Sequence, residues 1–128
     1  MGTWGFLGFL LFLIVGVLGF AAFASLYYVI PKATGGTVNN ILAWLHLVLL
    51  EVGTVVGTGL LGYAGYVGGT TMLDETAKGT AAKDIPGIVH PKINFVVQPI
   101  GIMALIAALG VFLGVIALFL AYRKSGQS

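Results

Sequence analysis

Three long apolar runs, divided by one short and one long polar interval, set the pattern of this chain. The first runs from about Trp4 to Ile30, the second from Ile41 to about Gly65, and the third from Phe95 to Tyr122. Each reaches the ~20 residues that carry an α-helix across a ~30 Å hydrocarbon layer. Backbone groups in that layer must be satisfied within their own segment, so each run is predicted to be a helix. The excess length implies tilt, or ends that emerge from the bilayer. The short interval, Pro31 to Asn40, holds Pro31 and the pair Gly35-Gly36, so the first two helices are expected to lie antiparallel and adjacent. The long interval, Gly68 to Lys92, carries Asp74, Glu75, Lys78, Lys83, Asp84, His90 and Lys92 and reads as a polar surface loop over 68–92 with one short turn. Pro99 lies about one turn into the third run, where it predicts a kink or a late helix start.

Composition sharpens this picture. Hydrophobic residues make up 59% of the 128 and charged residues 8%, against roughly 25% charged in soluble domains. Too little polar surface exists to clothe a water-facing globule. The expected fold class is therefore all-α, a single integral membrane domain of three transmembrane helices. "AFA" before Ser25 has the look of a signal-peptidase site, but no Lys or Arg precedes the run, so a retained span is expected. The chain has no cysteine, which rules out disulfides and thiolate ligands. Its net charge of +2 is spread over the chain without a basic cluster, so no nucleic-acid partner is expected.

Lys32, Arg123 and Lys124 fall on one side of a three-span arrangement, and Lys78, Lys83 and Lys92 on the other. The first three all sit next to helix ends, where basic residues weigh most in setting orientation. The expectation is an N-terminus outside and a C-terminus in the cytoplasm, in the plasma membrane of a prokaryote.

Two polar residues interrupt the second run. His46 and Glu51 are five apart, about 140° around a helix, so they lie on different faces and do not form a dyad. His46 shares its stripe with Leu49, Leu50, Gly53 and Gly57, a helix-contact pattern. Gly53-x-x-x-Gly57 and Gly110-x-x-x-Gly114 are small-residue spacings that let helices approach closely. Glu51 lies on a thin polar line with Thr54, Val55, Thr58 and Gly62, about 15 Å into the helix. A charged carboxylate at such a depth costs at least ~2.5–3.5 kcal/mol. Glu51, with Thr54 and Thr58, therefore reads as an interhelical hydrogen-bonding group or as part of a proton relay. His46 is a weak candidate for binding haem. The other histidine, His90, lies toward the opposite membrane face and cannot share an iron with it. No spacing of His, Asp and Glu gives a zinc or copper ligand set, and no catalytic arrangement is apparent.

The stretch "GFAAFASLYYVIPKATGGTVNNILAWLHLVLLEVGTVVGTGLLGYAGYVGG" resembles the late helices of subunit I of the haem-copper terminal oxidases and, more distantly, the nitric oxide reductase large subunit. Tyr27, Tyr28, Pro31, Lys32, Thr34 and Gly35 match the end of a haem-bearing helix and the turn after it. Trp44, His46 and Gly53 match the next helix, and Gly62, Ala64 and Gly65 its break. The third run follows the family in hydropathy and spacing alone. The family's His-x-His haem ligands would fall near Phe9 and Leu11, and the first run contains no histidine. The resemblance thus implies a chain without the haem and copper ligands, in which His46 is no metal ligand and Glu51 has no counterpart. It implies an accessory subunit of a respiratory membrane complex, surrounded by lipid and by other membrane subunits. Haem and copper would be expected in a partner subunit and not in this chain alone. It would pack on the catalytic subunit through the Gly53/Gly57 and Gly110/Gly114 faces. Two other functions stand beside it: a haem- or quinone-binding redox anchor using His46 and Glu51, and a small channel or transporter oligomer.

Overall fold

The computed structural model describes residues 3–124, apart from the side chains of Thr3 and Lys124. The Lys124 charge that enters the orientation argument therefore lies outside the described residues. The regular structure of the described residues is all helical, with no strand. Helix α1 (Thr3–Leu11) continues through a π-helical stretch (Phe12–Gly19) into α2 (Phe20–Thr34). A short turn leads to α3 (Asn40–Ala77), and after a second turn α4 (Ile85–Ile93) runs through a 3₁₀ turn (Asn94–Val96) into α5 (Val97–Lys124). Three helical rods result, Trp4–Thr34, Asn40–Ala77 and Ile85–Arg123, each long and apolar enough to cross a membrane. Large apolar side chains such as Phe6, Leu105 and Phe112 are exposed along their outer faces. Water would not tolerate that much contiguous apolar surface, and a multi-pass membrane protein needs it.

The first turn is tighter than the sequence suggests. Pro31 lies inside α2, which runs one turn further, to Thr34. The Thr34 hydroxyl donates to the Ile30 carbonyl at 2.7 Å and accepts from the Gly36 N–H at 3.3 Å, so the last turn keeps its polar groups paired. Gly35 then takes a left-handed conformation (φ 71°), and its N–H closes on the Pro31 carbonyl at 2.9 Å. Only glycine adopts that geometry without a Cβ clash. Asn39 caps α3, its Oδ1 accepting from the Ile41 and Leu42 N–H groups at 2.9 and 3.2 Å.

The expected loop over 68–92 is largely helical, and the second helix does not stop near Gly65. The reason is packing. Gly68 lies against Val89 and Ile93 of α4, and Ala64 and Thr71 are buried beside it on the same side of α3. Thr70 and Thr76 return their hydroxyls to the Tyr66 and Met72 carbonyls, so polar side chains do not break the rod. Ala64, Ile93 and Val96 form a core cluster, with Trp4 and Val89 packed on it. The true turn is confined to residues 78–84, where Gly79 has φ 79°. Beside it Lys78 donates to Glu75 at 2.8 Å, and this hydrogen bond, more than the carboxylate's charge, raises the Lys78 pKa above its ordinary value. The third rod starts at Ile85 rather than near Pro99, and just before Pro99 it passes through the 3₁₀ turn into α5 at Val97. Pro99 cannot donate to the Phe95 carbonyl, so regular α-geometry is interrupted there.

Helix α3 is the centre of the molecule. The α1–α2 rod packs antiparallel along one side, with Gly5 against Gly65, Gly8 against Leu61 and Gly16 against Thr54. Helix α5 packs antiparallel along another, over the longest seam in the fold. Gly53 faces Ala107, Leu50 faces Gly110, and His46 faces Gly114.

Candidate functional site

The α3–α5 seam brings together five of the residues singled out from the sequence: Gly53, Gly57, Gly110, Gly114 and His46. A Cβ on Gly53 would stand 2.5 Å from the Ala107 nitrogen and 2.7 Å from the Met103 carbonyl oxygen. A Cβ on Gly57 would stand 3.2 Å from the Met103 Cβ. On Gly110 it would meet the Leu50 nitrogen at 2.6 Å, and on Gly114 it would strike the His46 ring. Backbone fills the space that side chains would need, as small-residue helix contacts require. The glycine pairs expected to face another subunit face each other's helix instead. Each supplies a shallow groove for the other helix.

His46 lies in this seam, only 2% exposed. Its Nδ1 is 2.8 Å from the Gly110 carbonyl oxygen. A carbonyl can only accept, so Nδ1 carries the proton and donates. A ligating histidine also commonly donates its second nitrogen to a carbonyl, so this bond alone fits either role. The ring's surroundings separate the two. Phe23 lies 4.2 Å from the imidazole, centroid to centroid, and Tyr27 lies 5.6 Å away, edge-on. With Gly114 against its other side, the imidazole is enclosed by protein, and an iron could reach it only by displacing Phe23 or Tyr27. The helices α2, α3 and α5 meet around this one side chain. Its neighbours Phe23 and Tyr27 were not singled out as its partners; their four-residue spacing on one face of α2 was the available signal. The Tyr27 hydroxyl is buried without a hydrogen-bond partner among the described residues.

Glu51 goes the other way. It is exposed on the outer face of α3, between Val48 and Val55, and nothing among the described residues hydrogen-bonds to it. The polar line drawn from it through Thr54 and Thr58 divides in three dimensions. Thr54 is buried, with its hydroxyl unpartnered among the described residues. Thr58 is half-buried and donates to the Thr54 carbonyl at 2.6 Å. Both threonines line an open apolar groove of about 310 Å³ whose floor includes Gly53 and Gly57. Leu11 and Val15 form one wall and Ala104, Ala107 and Ala108 the other. Of the two positions at which the resemblance expects haem ligands, Phe9 is exposed and Leu11 lies in the groove wall.

His90 is exposed in α4 at the far end of the molecule. It borders a hollow of about 220 Å³ lined also by Trp4, Met72, Ile85 and Val89. His46 faces Gly114, 24 residues along the α4–α5 rod from His90, or roughly 36 Å of helix. The two histidines cannot bind one metal. Among the described residues no three of His, Asp and Glu come close enough to hold a metal ion. Compared with family models, curated proteins and solved structures, the chain matches none.

Proposed function

We propose that this chain is a structural accessory subunit of a respiratory membrane complex, most closely of the haem-copper terminal oxidase type, and performs no redox chemistry of its own. In this reading its three rods span the plasma membrane of a prokaryote, with the N-terminus outside and the C-terminus cytoplasmic. Haem and copper belong to a neighbouring subunit. The observation that carries the reading is the environment of His46. The one histidine within the apolar part of the fold is spent on the Gly110 carbonyl and covered by Phe23 and Tyr27. The partial sequence pattern supplies the host complex: Tyr27, Pro31, Thr34 and Gly35 lead into Trp44, His46 and Gly53, while Phe9 and Leu11 stand where ligands would be.

In such a role the chain contributes surface. Its outer faces offer large apolar side chains to lipid or to neighbouring helices, and its rigid α3–α5 seam fixes their spacing. Purification of the host complex with and without this chain tests the reading. The expected result is unchanged haem content per catalytic subunit, with reduced assembly yield or stability when the chain is missing. Loss of one haem per complex would support the redox-anchor reading instead.

A further inference from the structure

The first and third rods meet near their ends and part in between. At one end Phe23 lies against Gly114 and Gly36 against Ala121. At the other, Trp4 packs on the cluster that holds Ile93 and Val96. Between these points the apolar groove over α3 separates the rods, with Leu11 and Val15 on one wall and Ala104 and Ala108 on the other. Both alanines are exposed, so the groove is open to the surroundings of the protein.

The dimensions of the groove decide what fits. It follows α3 from Leu50 to Leu61, about 17 Å along the axis. Its 310 Å³ spread over that length gives a cross-section of about 18 Å², or roughly 4–5 Å across. A helix with its side chains measures ~10–12 Å and cannot enter. The groove also offers no polar group to an occupant. Thr58 is spent on the Thr54 carbonyl, and the Thr54 hydroxyl is buried away from the surface. The complementary shape is one slender chain, apolar over this whole length.

Exposed aromatic side chains mark the depth. Tyr28, Trp44 and Tyr122 lie toward one end of the rods, Tyr63 and Tyr66 toward the other. Trp44 and Tyr66 are 22 residues apart on α3, or ~33 Å, close to the ~30 Å of a hydrocarbon layer. Leu61 is two residues in from Tyr63, whereas Leu50 is six in from Trp44. The groove therefore begins at the Tyr63–Tyr66 level and ends deep in the layer.

We infer that this groove is a binding site for one acyl tail of a phospholipid from the leaflet on the Tyr63–Tyr66 side, held between the first and third rods. The headgroup stays at the aromatic level while the tail runs from Leu61 toward Leu50. An unbranched tail has the width and the polarity that the groove requires. It supplies the apolar contacts that the two rods do not make with each other at this depth. The inference rests on the membrane placement proposed above, but not on the host complex.

The test uses the full chain reconstituted in phosphatidylethanolamine and phosphatidylglycerol vesicles. Each of two preparations carries a phosphatidylethanolamine probe with one tail diazirine, near the carboxyl end or near the methyl end. After illumination, adducts are mapped by peptide mass spectrometry. Adducts per residue should be about fivefold or more higher on the groove walls than at exposed Leu105 and Phe112 of α5, a preference of only ~1 kcal/mol. The carboxyl-end probe should label the Ile100 end of the groove and the methyl-end probe the Val111 end. Ala108→Leu and, independently, Ala104→Leu fill the groove and should remove that excess while leaving Leu105 and Phe112 labelled. Even labelling of groove and outer face, the reverse order of the two probes, or indifference to both fillings would overturn the inference. So would an isoprenoid lipid, in place of phospholipid, in the solvent extract of chain purified from its host membrane in mild detergent. Adducts nowhere on the chain would instead refute the membrane placement.

Discussion

Replacing Gly110 with alanine puts one methyl group into the α3–α5 seam. The new Cβ would stand 2.6 Å from the Leu50 nitrogen, 3.0 Å from the Leu50 Cα and 3.1 Å from the His46 carbonyl oxygen. All three atoms are main chain, so no rotamer change relieves the contact. Carbon atoms rest about 3.5–4.0 Å apart, so the helices must separate by roughly 1 Å at this point, and such a gap forfeits about a quarter to a half of each contact energy. A buried Leu makes ~40–60 contacts of ~0.1–0.2 kcal/mol each; if half of those of Leu50 cross the seam, the loss is about 0.5–3 kcal/mol. The His46–Gly110 hydrogen bond stretches with the seam, which adds ~0.6–1.7 kcal/mol. The expected destabilisation is therefore about 1–5 kcal/mol, which brackets the ~1–3 kcal/mol typical of overpacking. Reversible unfolding in mixed micelles of mild detergent and rising dodecyl sulfate measures it, followed by circular dichroism. Gly101→Ala is the control, since a Cβ there meets nothing within 4 Å. That variant should be neutral or gain up to ~1 kcal/mol from helix propensity. If Gly110→Ala unfolds at the same point as Gly101→Ala, the close seam is wrong.

Other outcomes follow from the same geometry. His46→Phe keeps ring packing against Phe23 but removes the bond to Gly110, and should lower stability by ~0.6–1.7 kcal/mol in the same unfolding assay. His46→Ala also opens a cavity and should cost about 2–5 kcal/mol; equal effects of the two would argue against a packed imidazole. Asn39→Ala removes the cap of α3 and should cost ~1 kcal/mol, with faster amide exchange at Ile41 and Leu42. Glu51→Gln in the host complex should leave turnover and its pH profile unchanged, and a loss of proton-coupled turnover would revive the relay reading.

The hydrophobic pattern gave the rods and their order, because spans of this length leave few alternatives. It placed their ends less well. Gly62, Ala64 and Gly65 resemble a break, yet α3 passes through them because Ala64 and Gly68 pack on Val89 and Ile93 of α4. The clue was in the sequence: Ile85, Val89 and Ile93 recur every four residues, a helical stripe inside an interval whose charges suggested a loop. Pro31 misled in the same direction, since the Thr34 hydroxyl and Gly35 finish the helix a turn later. No residue type announces the π-helical stretch from Phe12 to Gly19, whose apolar composition suits an ordinary helix equally well.

The site was legible in part. The helical wheel separated His46 from Glu51, and the structure puts one in the central seam and the other on the outer face. The wheel could not show that Thr54 turns inward while Glu51 turns outward, because that depends on where the α1–α2 rod and α5 dock around α3. Nor could it show that each glycine pair packs on the other's helix, Gly53 on Ala107 and Gly110 on Leu50: a small-residue motif announces a close partner and not its identity. The antiparallel register, with His46 opposite Gly114 and Gly53 opposite Ala107, is a property of the folded chain.

The proposed role turns on whether this chain holds a haem. The most direct measurement is the reduced-minus-oxidised optical spectrum of the chain expressed alone in a haem-replete host and purified in mild detergent, beside that of the complex it co-purifies with. The account predicts no Soret or α-band from the isolated chain and haem bands from the complex. A stoichiometric haem spectrum from the isolated chain, abolished by His46→Ala, would contradict it.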